Sequence, residues 1–137
     1  ADSKIELKEK KDRIEDAIYA TKAALQEGIV PGGGVALLNA SQKISAKAVG
    51  EEILLRALKA PFYTILDNAG ITLIEGYEDH EGYGIDVVTG ERATMVSAGI
   101  IDPVLVTKSA LKNAVSVVLT IISADCVISN MRHNEGN

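Results

Sequence analysis

Tryptophan is absent from this 137-residue chain, phenylalanine occurs once and tyrosine four times. Its core must therefore be aliphatic and alanine-rich, which favours close helix packing over a β-sandwich. The single cysteine, Cys126, excludes an internal disulfide and lies in an apolar run, where a buried reduced thiol is expected. No basic run exceeds Lys10-Lys11 and the net charge is −5, so nucleic acid is not an expected partner. The N-terminal Ala1-Asp2-Ser3-Lys4 leads into charge, not into the apolar region of a signal peptide. The longest weakly charged stretch, 113–124, is about 12 residues and too short to span a bilayer, so no membrane partner is expected and the chain reads as soluble. No G-x-x-x-x-G-K-[ST] phosphate loop occurs. The chain opens on Ala1 in mid-pattern, which reads as a piece of a larger protein. A content of 47% apolar and 24% charged residues places it among globular sequences.

What is present is helical punctuation. Ser3 followed by Glu6 forms a capping-box pattern, starting a helix expected to run to Glu27 with Gly28 as a left-handed terminator. Its first half has no apolar face; its second half carries Ile14, Ile18, Thr21 and Leu25 with Ala17 and Ala24. Such a helix behaves as an arm or lever. Gly32-Gly33-Gly34 then opens directly onto a second helix, Val35 to about Lys47. Glycines let a ligand approach bare backbone, and the helix N-terminus beyond supplies unpaired N–H groups, a combination suited to an anionic, phosphate-bearing ligand; a plain tight turn fits the triplet equally. Further helices are expected over 50–59 and 61–68, the latter stopped by Gly70, with a short turn over 71–76. Gly82 to Glu91 reads as a small β-hairpin, followed by a turn over 94–98. Asp102-Pro103 reads as N-cap and first helical residue of a helix from Val104 to about Ser123, apolar on nearly every face and hence in need of a larger body to cover it. Its β-branched residues leave a strand open there. Cys126 to Ser129 reads as a terminal strand. His80, in an acidic stretch, reads as a surface residue and not a metal ligand, and His133 as solvated.

Four blocks in order, 9–17, 23–37, 57–61 and 99–111, resemble the C-terminal third of a group I (GroEL-type) chaperonin, and the resemblance covers nearly the whole chain. It implies a mainly α, multihelical fold with one small β-hairpin and a terminal strand. Residues 1–28 would be the intermediate-domain helix, and 29–137 the C-terminal half of the equatorial ATP-binding domain. It further implies ATP or ADP with Mg²⁺ as ligands, ring-forming subunits of the same family, a co-chaperonin lid and unfolded client proteins as partners, and a bacterial cytoplasmic or organellar location. By resemblance, Asp16 orients the attacking water. Gly33, with Gly32 beside it, contacts the nucleotide's sugar and base. Asp86, Val87 and Val88 cradle the adenine, Ile100 packs near the base, and Asp102 binds the ribose hydroxyls.

The residues themselves leave plainer roles open. Asp16 lies about 200° around the helix from Ile14, off the apolar stripe, where it is either a presented carboxylate or a solvated one. Asp102 before Pro103 is an ordinary N-cap pattern. Gly33 fits a simple turn and Asp86 a hairpin edge. The chain departs from the family pattern in its short 45–49 connection, in Asp86 and the bulkier Val87 and Val88, and in a tail without Gly-Met repeats. The phosphate loop and Mg²⁺-binding Asp of the family have no counterpart in this sequence, so the chain by itself is expected to supply half of a pocket and not to turn over ATP. A stand-alone helical interaction module that lost catalysis is the alternative; a self-sufficient nucleotide enzyme is opposed by the missing phosphate clamp.

Overall fold

A computed structural model describes residues 3–72 and 80–124. Five helices and two short strand pairs make up these residues. The first helix, α1 (Lys4–Glu27), begins as its sequence dictates. Ser3 Oγ accepts from the Glu6 amide at 3.3 Å while Glu6 Oε2 accepts from the Ser3 amide at 2.8 Å. The i,i+4 pairs Glu9–Arg13 and Lys11–Glu15 run along its solvated first half. The packed stripe differs from the sequence expectation. Ile14, Ile18 and Leu25 are exposed, whereas Ala23 is buried and Ala20 and Ala24 are half-buried. Small side chains let α1 lie close to its neighbours, so the alanine face docks and the larger residues stay outside.

Gly28 ends α1 with its N–H on Ala24 O at 2.8 Å, at positive φ as expected but with ψ outside the left-handed helical region (φ 85°, ψ −165°). That turn sends the chain into β1 (Ile29–Pro31), which pairs antiparallel with β4 (Ile101–Pro103) in the register Ile29–Pro103, Val30–Asp102, Pro31–Ile101. This ribbon escaped the sequence reading, because two three-residue strands far apart in sequence carry no periodicity. Helices α2 (Val35–Lys43), α3 (Val49–Ala57) and α4 (Ala60–Asn68) follow. The second is shorter than expected, ending before the 44–48 connection.

The hairpin forms as expected, but its strands are β2 (Tyr83–Asp86) and β3 (Glu91–Thr94), with Val87 to Gly90 as the turn. Thr94 belongs to β3, and a non-helical turn covers 95–99, one residue later than the helical turn expected over 94–98. The last helix is α5 (Val104–Ile122). Pro103 is its N-cap and Asp102 lies in β4, so the Asp-Pro pair is not the cap the sequence pattern indicated. The Val104 amide bonds Gly28 O at 3.1 Å, tying the start of α5 to the end of α1, and Lys108 Nζ reaches Glu27 Oε2 at 2.7 Å. At 19 residues α5 exceeds the 12-residue apolar limit read from sequence and is long and apolar enough to cross a membrane by length and composition alone. It carries Lys108 and Lys112 and lies against α1, although none of its residues is buried.

The core sits where α2, α4 and the hairpin meet: Val35, Leu38, Phe62, Leu66, Ile85 and Met95, with Tyr63, Ile71 and Ile100 packed around it. Phe62 and Tyr63 meet edge to face at 5.4 Å. Asn39 Oδ1 accepts from the Gly82 amide at 2.8 Å, and Lys43 pairs with Glu81, so α2 also anchors the hairpin base. The short turn expected over 71–76 falls largely outside the described residues. The terminal strand, Cys126 and His133 fall outside them entirely.

Candidate functional site

The triglycine turn is built by crowding. The Gly32 amide donates to Ile100 O at 2.9 Å, and a Cβ at Gly32 would lie 3.1 Å from the Ile100–Ile101 backbone. Gly34, at φ +79°, caps α2 with its own conformation. A Cβ there would lie 2.6 Å from Phe62 N and 2.7 Å from Phe62 Cα, at the start of α4. Gly33, at φ +65°, faces the Met95 methyl. The side-chain space at each glycine is thus taken by protein and not left open for a ligand. What the turn leaves available is backbone: among the described residues the amides of Gly33 and Gly34 have no acceptor, and they lead into the first turn of α2. The Gly32 N–H is committed to the ribbon.

Beside the turn, β4 brings Ile100 and Asp102 close. Ile100 is half-buried against the core, with its amide on Met95 O at 2.8 Å. Asp102 is half-buried, and burial raises its carboxyl above the ordinary value of 3.8. Because Pro103 takes the cap position, the Asp102 carboxylate has no capping duty, and among the described residues no donor pairs it. Strand alternation puts it on the face of Val30, opposite Ile101 and Pro103. Ile29, Ile101 and Pro103 on that opposite face, with Asp102 and with Ala20, Thr21 and Ala24 of α1, line an open cleft of about 160 Å³.

Other candidates are placed differently. Asp86 uses its side chain locally: Oδ1 accepts from the Val88 amide at 2.9 Å, while its carbonyl accepts from the Gly90 amide at 2.7 Å. The carboxylate therefore shapes the hairpin turn. Val87 and Val88 ride on that turn, Val88 90% exposed. Asp16 is exposed on α1, twelve residues before Gly28 in the sequence and about 18 Å from it along the helix. Among the described residues its carboxylate has no ion-pair or hydrogen-bond partner. The structure brings Gly32, Gly33, Ile100 and Asp102 together and holds Asp16 apart on a separate arm. His80 is exposed, edge-on to Tyr83 at 5.8 Å between centroids. Among the described residues no three His, Cys, Asp or Glu side chains converge as a metal site.

The residue the sequence reading missed is Met95. It is 1% exposed and lies between Gly33 and Gly84. Only its position, a large apolar residue at the start of a turn, hinted at burial.

A mainly helical body with small strand pairs is consistent with a chaperonin equatorial-domain fragment. The chain belongs to the TCP-1/cpn60 chaperonin family, whose description matches residues 1–132. It is similar to the crystal structure of a group III chaperonin in the open state. The TM-score is 0.76 at 27% identity, over 93% of this chain and 29% of that one. The chain thus corresponds to less than a third of that protein's length.

Proposed function

We propose that this chain is the C-terminal part of an ATP-driven chaperonin subunit that assists the folding of other proteins. Residues 1–28 would form the lever helix of the intermediate domain and 29–137 the C-terminal half of the equatorial domain. The observation that carries the reading is Asp102: a half-buried, unpartnered carboxylate on the strand beside the triglycine turn. A carboxylate in that position accepts from paired hydroxyls, as a ribose presents them. The free amides of Gly33 and Gly34 offer donors to the same ligand, and Ile100 offers an apolar flank.

The donor set fits the nucleoside half of ATP or ADP. It contains no cation to hold phosphates, so the phosphate loop and the Mg²⁺ ligand are assigned to the N-terminal part of the subunit. When bound there, Mg²⁺ supplies charge neutralisation for phosphoryl transfer. Asp16, on the exposed side of α1, would orient the attacking water once the lever helix swings toward the nucleotide. The hairpin turn of Asp86, Val87 and Val88 is assigned to the adenine side. With the Asp86 carboxylate engaged by the Val88 amide, that contact falls to backbone and methyl groups. Group I character rests on the four sequence blocks alone. Partner subunits of the same family in a double ring, a co-chaperonin lid and unfolded clients follow from the same reading, as does a bacterial cytoplasmic or organellar matrix location.

Calorimetric titration of the complete subunit with ADP and Mg²⁺ tests the site. Asp102→Asn should weaken binding about tenfold, the loss of one charge-assisted interaction. Asp16→Ala should abolish phosphate release while sparing affinity. Unchanged ADP binding in Asp102→Asn removes the ribose assignment, and lost binding in Asp16→Ala makes Asp16 structural.

A further inference from the structure

We propose that Met95 is a positioning residue for the nucleoside site, its thioether setting the separation between the triglycine turn and the β2–β3 hairpin. The proposal rests on the nucleotide reading above. Two backbones without side chains close on Met95 from different elements. A Cβ on Gly33 would lie 2.8 Å from Met95 Cε; one on Gly84 would lie 2.6 Å from Sδ and 3.0 Å from Cε. At Gly33 the thioether methyl fills the space another residue would occupy itself, and at Gly84 it shares that space with Val35 Cγ2 at 2.7 Å.

The Met95 backbone is pinned as firmly. Its amide donates to Gly82 O at 3.0 Å, and its carbonyl accepts from the Ile100 amide at 2.8 Å. Ile100 O in turn accepts from Gly32 at 2.9 Å. One residue therefore joins the triglycine turn, the hairpin and the strand leading to Asp102. An unbranched, polarizable side chain suits a gap between two bare backbones, where a branched one would not thread. The Gly33 amide has no acceptor among the described residues, so its direction is set by what backs the turn, and Met95 backs it. Shortening that side chain leaves a void into which both glycines relax, carrying the amide away from its ligand.

The test is ADP titration by calorimetry on the complete subunit containing this chain, at a temperature where circular dichroism shows each variant folded. Met95→Leu should weaken ADP about tenfold and Met95→Ala further. Gly33→Ala should also weaken it, and Met95→Ala with Gly33→Ala should be no worse than the poorer single variant, because both act through one contact. Leu38→Ala, in the same core, should lower urea stability as much as Met95→Ala yet keep ADP affinity within about twofold, a split that bulk destabilisation does not give. Met95→Leu and Met95→Ala with wild-type affinity, or additive losses in the double variant, overturn the proposal and leave the nucleotide reading standing. Absence of ADP binding by the unsubstituted subunit overturns both.

Discussion

The α2–α4–hairpin core and the α1–α5 pair hold the chain in opposite ways. In the core, short elements bury Val35, Phe62, Leu66 and Met95 almost completely, and glycine backbones touch side chains directly. The longest elements, α1 and α5, bury almost nothing: Ala23 alone in α1 and no residue of α5. Helix length is thus no guide to where the stability lies. The body depends on a dense corner beside the candidate site, while the long helices present uncovered Ile14, Leu25, Val117 and Leu119.

The sharpest way to break this contrast is truncation on each side of it. Phe62→Ala should cost about 3–5 kcal/mol in urea unfolding, from lost burial and a cavity. Leu119→Ala on α5 should stay within about 0.5 kcal/mol, since the side chain is already in water. Equal effects would mean that α5 is covered in solution. Two glycines of positive φ give the next comparison. Gly34→Ala adds a collision with the Phe62 backbone to conformational strain and should cost about 3–5 kcal/mol. Gly28→Ala has open space and should cost about 1–3 kcal/mol from strain alone. Ser3→Ala should remove about 1 kcal/mol of local helix stability, visible as faster amide exchange in the first turn of α1 and not in the core.

The smallest effect concerns Asp102. Burial raises its folded-state pKa, so between the ordinary value of 3.8 and the raised one the folded state holds more protons than the unfolded state. Stability contributed by this group is therefore greatest at low pH and falls as pH rises through the raised value. Asp102→Asn removes that penalty and should stabilise the chain at pH 7 by less than about 1 kcal/mol, since a half-exposed carboxylate keeps much of its hydration. The gain should vanish below about pH 4 in thermal melts. A gain that persists there would assign the effect to packing.

Much of the fold was legible residue by residue. The Ser3–Glu6 box, the Pro61 start of α4, Gly70 and the presence of a hairpin beginning near Gly82, though not its second strand Glu91–Thr94, all depend on contacts within a few residues, which composition and spacing encode. The β1–β4 ribbon was not legible, because Val30 and Asp102 meet only through pairing over more than seventy residues. That pairing moved Asp102 from helix cap to strand and freed its carboxylate. The alanine face of α1 was hidden too, since periodicity marks the large apolar residues while close docking selects the small ones.

Sequence by itself determined the chaperonin family, through four ordered blocks, and the helical class, with starts such as the Ser3–Glu6 box that depend on hydrogen bonds between near neighbours. Tertiary structure alone decided why three glycines stand together, namely to admit Ile100, Met95 and the start of α4. It also left the half-buried Asp102 carboxylate without a partner among the described residues. Both depend on surfaces that meet only after the chain has closed on itself, and no local pattern records the space between them.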